Sequence, residues 1–170
     1  MLYRKIESLI EEHLKSGSSK ILLVDGARQV GKTTLLNTVT KGQNVATFTG
    51  DSIASVESLT SHYRDGTLPS LLRLTDTLLI DEAQRIPSIG LILKILVDNN
   101  QKTKIYVTGS SSLDLSEGIK ESAIGRIVTK NLWPISVMEL AQKDNWLKVK
   151  ENLPLYLTYG LYPEVLTQDS

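Results

Sequence analysis

Apolar positions along the chain follow two patterns, and the two alternate. Leu2, Ile6, Leu9, Ile10 and Leu14 recur at helical spacing with charged residues between them, which predicts an amphipathic helix ended by Gly17 and the neighbouring serines. Residues 20–25 (KILLVD) are instead a short continuous apolar run, the pattern of a strand covered on both faces. A glycine-containing loop then leads into a helix from near Lys32 toward Thr40. Residues 44–49 read as a strand, 52–63 as a helix, Asp65-Gly66 as a turn and 69–74 as a short helix. A second buried strand is expected at 77–81 (TLLID) and a third at 104–108 (KIYVT), with one more toward a sheet edge at 125–132. Residues 89–97 are apolar nearly all round, which predicts a helix covered on most sides.

Strands that alternate with helices predict an α/β chain: a three-layer α/β/α core with a mainly parallel sheet and right-handed crossovers. That core is expected to span residues 1–133. From Pro134 onward the pattern is helical only, with helices at 136–142 and 149–159 and breaks at Gly160 and Pro163. Residues 134–170 are therefore expected to form a helical extension or the start of a lid.

Composition narrows the function classes. A chain of 170 residues supports one well-packed core. Nineteen basic residues balance nineteen acidic ones, so no global field attracts nucleic acid or an acidic membrane. The absence of cysteine removes thiolate chemistry, disulfides and cysteine-bound zinc, and fits a cytoplasmic protein. The first residues carry acidic side chains within their apolar pattern, so no signal peptide is expected, and no stretch is apolar enough to span a bilayer.

The strongest chemical signal is Gly26-Ala27-Arg28-Gln29-Val30-Gly31-Lys32-Thr33, which fits G-x-x-x-x-G-K-[ST] without mismatch. It leaves a buried strand and opens a helix, as a phosphate-binding loop must. Glycines let backbone N–H groups converge on phosphate oxygens, and the helix adds its positive end, Thr34 included. Lys32 supplies a mobile cation for the β- and γ-phosphates, and the Thr33 hydroxyl is a hard oxygen suited to Mg²⁺. A second signal is Asp81-Glu82 at the end of TLLID: the aspartate is placed to hold Mg²⁺, the glutamate to polarise an attacking water. No N-K-x-D tetrapeptide is present to read guanine, which favours ATP over GTP.

Other candidates are less specific. If KIYVT lies between the two motif strands, Thr108 or Ser110 can reach the γ-phosphate or the water; otherwise the serine-rich stretch caps a helix. Arg126 is either a stabiliser of transferring phosphoryl charge, in its own site or a neighbour's, or a structural ion-pair partner. Arg28, inside the loop, faces the nucleotide or a partner. His13 reads as lying on a polar helix face and His62 as a turn residue, neither with a metal partner. Trp133 and Trp146 read as packing residues.

The motifs GARQVGKTTLL, LLIDEAQRIP, YVTGSSSLDL, AIGRI and LWPISVMEL, in that order and followed by YGLYPEVL, resemble the prokaryotic AAA+-type ATPases, which usually carry a further C-terminal domain of unknown function. The resemblance implies a P-loop fold in which the Asp81 strand is not adjacent to the strand feeding the phosphate loop. It assigns Lys32 and Thr33 to phosphate and Mg²⁺, Asp81 and Glu82 to metal and water, Thr108 or Ser110 to the polar sensor, and Arg126 to the arginine. The expected function is an ATPase module that couples Mg-dependent ATP hydrolysis to movement of a partner, a second copy or a C-terminal domain. A nucleotide-dependent switch with little turnover is the alternative. A DNA motor, suggested by the DEAQ spelling of residues 81–84, is the third.

Overall fold

The computed structural model describes residues 4–16, 18, 20–100, 102–110 and 125–167. Leu2, Gly17, Ser111, Ser112 and the side chain of Leu14 lie outside the described parts. In chain order the elements are α1 (Ile6–Lys15), β1 (Ile21–Asp25), α2 (Lys32–Val39), β2 (Val45–Thr49), α3 (Ile53–Arg64), α4 (Leu68–Leu74) and β3 (Thr77–Asp81). A 3₁₀ turn (Ala83–Arg85) follows, then α5 (Ile89–Asp98), β4 (Lys104–Gly109) and β5 (Ile127–Asn131). The chain continues through α6 (Val137–Lys143), α7 (Trp146–Glu151), α8 (Leu153–Tyr159) and α9 (Pro163–Thr167).

Continuous apolar runs make central strands because a strand sends alternate side chains to opposite faces, and here both faces are covered. Ile21 and Leu23 of β1, Leu78 and Ile80 of β3, and Ile105 and Val107 of β4 enter one core with Leu59, Leu68, Leu72, Ile92, Leu93 and Leu96 of α3, α4 and α5. Leu22, Val24, Leu79 and Tyr106 enter the other, against Ile10 of α1 and Leu35 and Leu36 of α2. The result is the expected three layers. All strand pairs are parallel, in the order β2-β3-β4-β1-β5. Strand β4 thus separates β1 from β3, and β5 closes one edge as expected. The edge strands β2 and β5 are only half-buried.

Helix α5 is covered on most sides, as expected: of residues 89–97 only Leu91 and Lys94 are exposed, and Ile89, Ile95 and Val97 pack against the core beside buried Ile92, Leu93 and Leu96. Three expectations about packing are corrected. His13 is half-buried, its ring edge-on to Tyr106 at 6.1 Å between centroids and its Nε2–H donating to Lys20 O at 3.1 Å. Burial and the nearby Lys104 charge lower its pKa, in that order, against the opposing pull of that hydrogen bond. Trp133 and Trp146 are 69% and 62% exposed, not packed. They belong to a segment whose small core of Ile135, Leu140 and Val149 is too limited to cover them.

The expected single helix at 149–159 is two. Asn145 caps α7 through its side chain, which accepts from Lys148 N at 2.9 Å. Asn152 then ends α7 and opens α8, and Pro154 fits the first turn of α8, where its missing N–H has no partner to lose. Pro163 likewise starts α9 instead of ending a helix. Helix α6 begins at a capping box between Ser136 and Glu139.

Candidate functional site

The carboxyl ends of β1, β3 and β4 meet at one rim of the sheet, the end where open parallel sheets bind ligands. The loop leaving β1 is shaped by two glycines. A Cβ on Gly26 would stand 2.2 Å from Leu132 O, because β5 exits directly against the loop base. Gly31 has φ 92°, the left-handed conformation that disfavours side chains, and it is the N-cap of α2. Gly26 and Val30 are buried, whereas Ala27, Arg28, Gln29, Thr33 and Thr34 are exposed. The loop therefore presents its backbone and the α2 N-terminus to solvent. Arg28 is among the exposed residues of the loop.

Lys32 is the buried exception. Its side chain is 4% exposed, and Nζ donates to Gly26 O at 3.0 Å and Ala27 O at 2.9 Å. It also lies 4.0 Å from Glu82 Oε1. The ammonium is held over the loop's own carbonyls. Thr33 Oγ1 is 3.0 Å from both carboxylate oxygens of Asp81, although 48 residues separate them in sequence. A hydroxyl and a carboxylate placed side by side at an exposed helix start are hard oxygen donors of the kind Mg²⁺ takes, with phosphate and water completing its shell. Among the described residues no cluster of three or more His, Cys, Asp or Glu forms a cage for another metal.

Behind this pair the two β4 candidates separate. Thr108 is fully buried; its hydroxyl donates to Asp81 Oδ1 and accepts from Glu82 N at 3.0 Å. Both hydrogen-bonding functions are committed to orienting the acidic pair, so Thr108 supports the site from below. Ser110 is half-buried and accepts from Gln84 Nε2 at 3.1 Å, and the same amide donates to Glu82 Oε2 at 2.6 Å. Gln84 was not singled out as a site residue, although its place in DEAQ was the available signal.

Arg126 is not brought to this rim. It precedes Ile127, which pairs with Ile21 at the start of β1, so the length of the strand, roughly 13 Å, lies between it and its own phosphate loop. There it forms an ion pair with Asp98 at 2.9 Å, both partners about two-fifths exposed. That placement sets Arg126 at the opposite end of the sheet from its own phosphate loop.

Arg4, only 6% exposed, is a further residue at the loop, and this one has no sequence signal. Its guanidinium donates to Val30 O in the phosphate loop at 2.8 Å, to Trp133 O at 2.5 Å and to Glu139 Oε1 in α6 at 3.4 Å. Pro163 of α9 is the nearest side chain to the Cβ position of Gly31. The helical segment is thus joined directly to the loop.

A family model described as an AAA domain matches residues 18–141, well over half of the chain. The chain belongs to the AAA domain family. Curated relatives of this AAA domain, from Mycobacterium tuberculosis and Mycobacterium bovis and both described as uncharacterised, are 32% identical over 132 residues. The match covers 75% of the chain and 29% of each relative, so the chain spans under a third of their length. Among solved structures, a Walker-type ATPase of Pyrococcus abyssi is similar with a TM-score of 0.60 at 16% identity, covering 99% of this chain and 71% of that one. A signal-transduction ATPase with a tetratricopeptide repeat sensor, from Pyrococcus horikoshii, gives 0.58 at 14% identity, covering 100% and 30%. The replication initiator DnaA, solved with AMPPCP and single-stranded DNA, gives 0.51 at 16% identity, covering 90% and 60%. At these identities the likeness is one of fold: an AAA-type, P-loop ATPase-like domain. Among the described residues no helix is long and apolar enough to cross a membrane.

Proposed function

We propose that this AAA domain binds Mg-ATP and hydrolyses it to ADP and phosphate, and that the cycle moves its helical segment against the core. The observation that carries this reading is the meeting of four side chains from two separate motifs: Lys32 beside Glu82 and Thr33 against Asp81. Thr33 and Asp81 would hold Mg²⁺, which supplies charge neutralisation at the β- and γ-phosphates. Lys32 leaves the carbonyls of Gly26 and Ala27 for phosphate oxygens. Glu82 takes a proton from a water whose oxygen attacks the γ-phosphorus; the bond to the β–γ bridging oxygen breaks, and ADP leaves with that electron pair. The Arg4 contacts support mechanical coupling, because a change at Val30 O is felt at Trp133 and Glu139.

The placement of Arg126 favours a second reading, a nucleotide switch that turns over slowly by itself. With that arginine at the far end of the sheet, it cannot meet charge on the transferring group of its own chain's nucleotide. An arginine from a second copy or a partner protein, or a C-terminal domain, would then set the rate. The balanced charge gives no support to a DNA track.

Phosphate release and ATP affinity, measured for wild type and Glu82→Gln, test the proposal. The substitution is expected to keep ATP binding and lower kcat by about 10² to 10⁴. Equal turnover in both proteins would remove Glu82 as the base.

A further inference from the structure

We propose that Gln84 is the positioning residue for Glu82, a role that rests on the ATPase reading above. The chain turns sharply as it leaves β3. Glu82 has φ 47° and ψ 46°, left-handed values unusual for a residue with a side chain. The turn persists because Glu82 N donates to Thr108 Oγ1 at 3.0 Å and Glu82 O accepts from Arg85 N at 3.0 Å. Its consequence is that residue 84 comes within reach of the carboxylate two residues earlier.

Both N–H groups of the Gln84 amide are then used. One donates to Glu82 Oε2 at 2.6 Å, the other to Ser110 Oγ at 3.1 Å just past the end of β4. The amide is anchored on a neighbouring strand and grips one oxygen of the carboxylate. The other oxygen, Oε1, is the one 4.0 Å from the Lys32 ammonium. A primary amide suits this task because it orients a base without neutralising it, as an ammonium or guanidinium would. The orientation of the amide is fixed by chemistry: turning it over would set its carbonyl oxygen against the carboxylate, acceptor to acceptor.

A packing role does not account for the same facts. Gln84 Oε1 is buried and has no hydrogen-bond partner among the described residues. An orphaned acceptor is a net cost, and an apolar side chain of the same length would fill the space without it. What glutamine adds over such a side chain is its two donors, and both point at the catalytic rim.

The test compares wild type, Gln84→Met, Glu82→Gln and the double variant by steady-state ATP hydrolysis, ATP titration and thermal melting. Methionine keeps the volume and removes the donors. The expected result for Gln84→Met is a kcat lowered about 10- to 100-fold. KM should be unchanged, ATP affinity and melting temperature should not fall, and the double variant should be no slower than Glu82→Gln alone. An unchanged kcat in folded Gln84→Met, or an equal fall in both backgrounds, overturns positioning through Glu82 and leaves the ATPase reading standing. A wild type that binds Mg-ATP without turning it over overturns both.

Discussion

Lys32→Ala removes an ammonium that already has partners, so the effect on ligand binding is a difference between two sets of bonds. Nζ is hydrogen-bonded to Gly26 O and Ala27 O in the structure. On binding, those two bonds are exchanged for bonds to phosphate oxygens, which carry charge. A hydrogen bond to a charged group is worth about 1.5–3 kcal/mol, and the exchange recovers only the surplus of ion–ion over ion–carbonyl contact. With two bonds exchanged and a surplus of about 1–1.4 kcal/mol in each, within the spread of that range, the difference is roughly 2–2.7 kcal/mol, a 30- to 100-fold loss of affinity in the variant. Wild type with Mg-ATP at about a hundred times its Kd gains ~2.7 kcal/mol, which at this chain length raises Tm by roughly 5–10 °C. At the same ATP concentration the variant is left with ~0.4–0.9 kcal/mol, a rise of about 1–4 °C. Melting curves followed by far-UV circular dichroism, with and without Mg-ATP, give each protein its own baseline. Any change in ligand-free stability, from the unpaired buried Gly26 carbonyl or the lost buried charge, therefore cancels. A variant that keeps the full wild-type rise would refute the reasoning, because the ammonium would then contribute nothing to phosphate binding.

Two further outcomes concern stability. Tyr106 is fully buried, burial pushes its hydroxyl pKa up, and the hydroxyl has no partner among the described residues. Tyr106→Phe is expected to relieve about 1–3 kcal/mol of desolvation and raise Tm by at least ~2 °C; a lower Tm would mean that the hydroxyl is satisfied in solution. For Glu139, burial alone would raise the pKa, but hydrogen bonds from Ser136 N, Lys5 N and the Ser136 hydroxyl, with the Arg4 charge, outweigh it and hold the carboxyl below its ordinary value. A folded-state pKa below the unfolded one gives stability that is complete above the unfolded value, about 4.3, and is lost as pH falls through the folded value. Glu139→Gln is therefore expected to lower Tm at neutral pH and flatten its decline below about pH 4, and an unchanged acid limb would argue against the Arg4–Glu139 link.

The strands were legible because their signal is local. KILLVD, TLLID and KIYVT announce two-sided burial without reference to each other, and β1, β3 and β4 are where those runs lie. The helix boundaries at Ser136 and Ser52 follow from caps that act within three residues. The division at Asn152 is not written in the apolar pattern of 149–159; it rests on Asn152 serving as the cap of both helices and on the fit of Pro154 in the first turn of α8.

The sequence by itself determined the phosphate loop and the acidic pair, because the spacing within each motif is the geometry that the chemistry needs. It also determined the α/β class, through runs whose burial is written in their composition. Strand order and register decided the rest. They set Thr33 against Asp81, put Thr108 beneath the carboxylates and Ser110 beside Gln84, and carried Arg126 to the opposite end of the sheet. They also drew Arg4 from the start of the chain into contact with the loop and with α6. Such contacts join residues tens to more than a hundred positions apart, and no local spacing rule encodes them. Only the packing of the whole sheet brings them together.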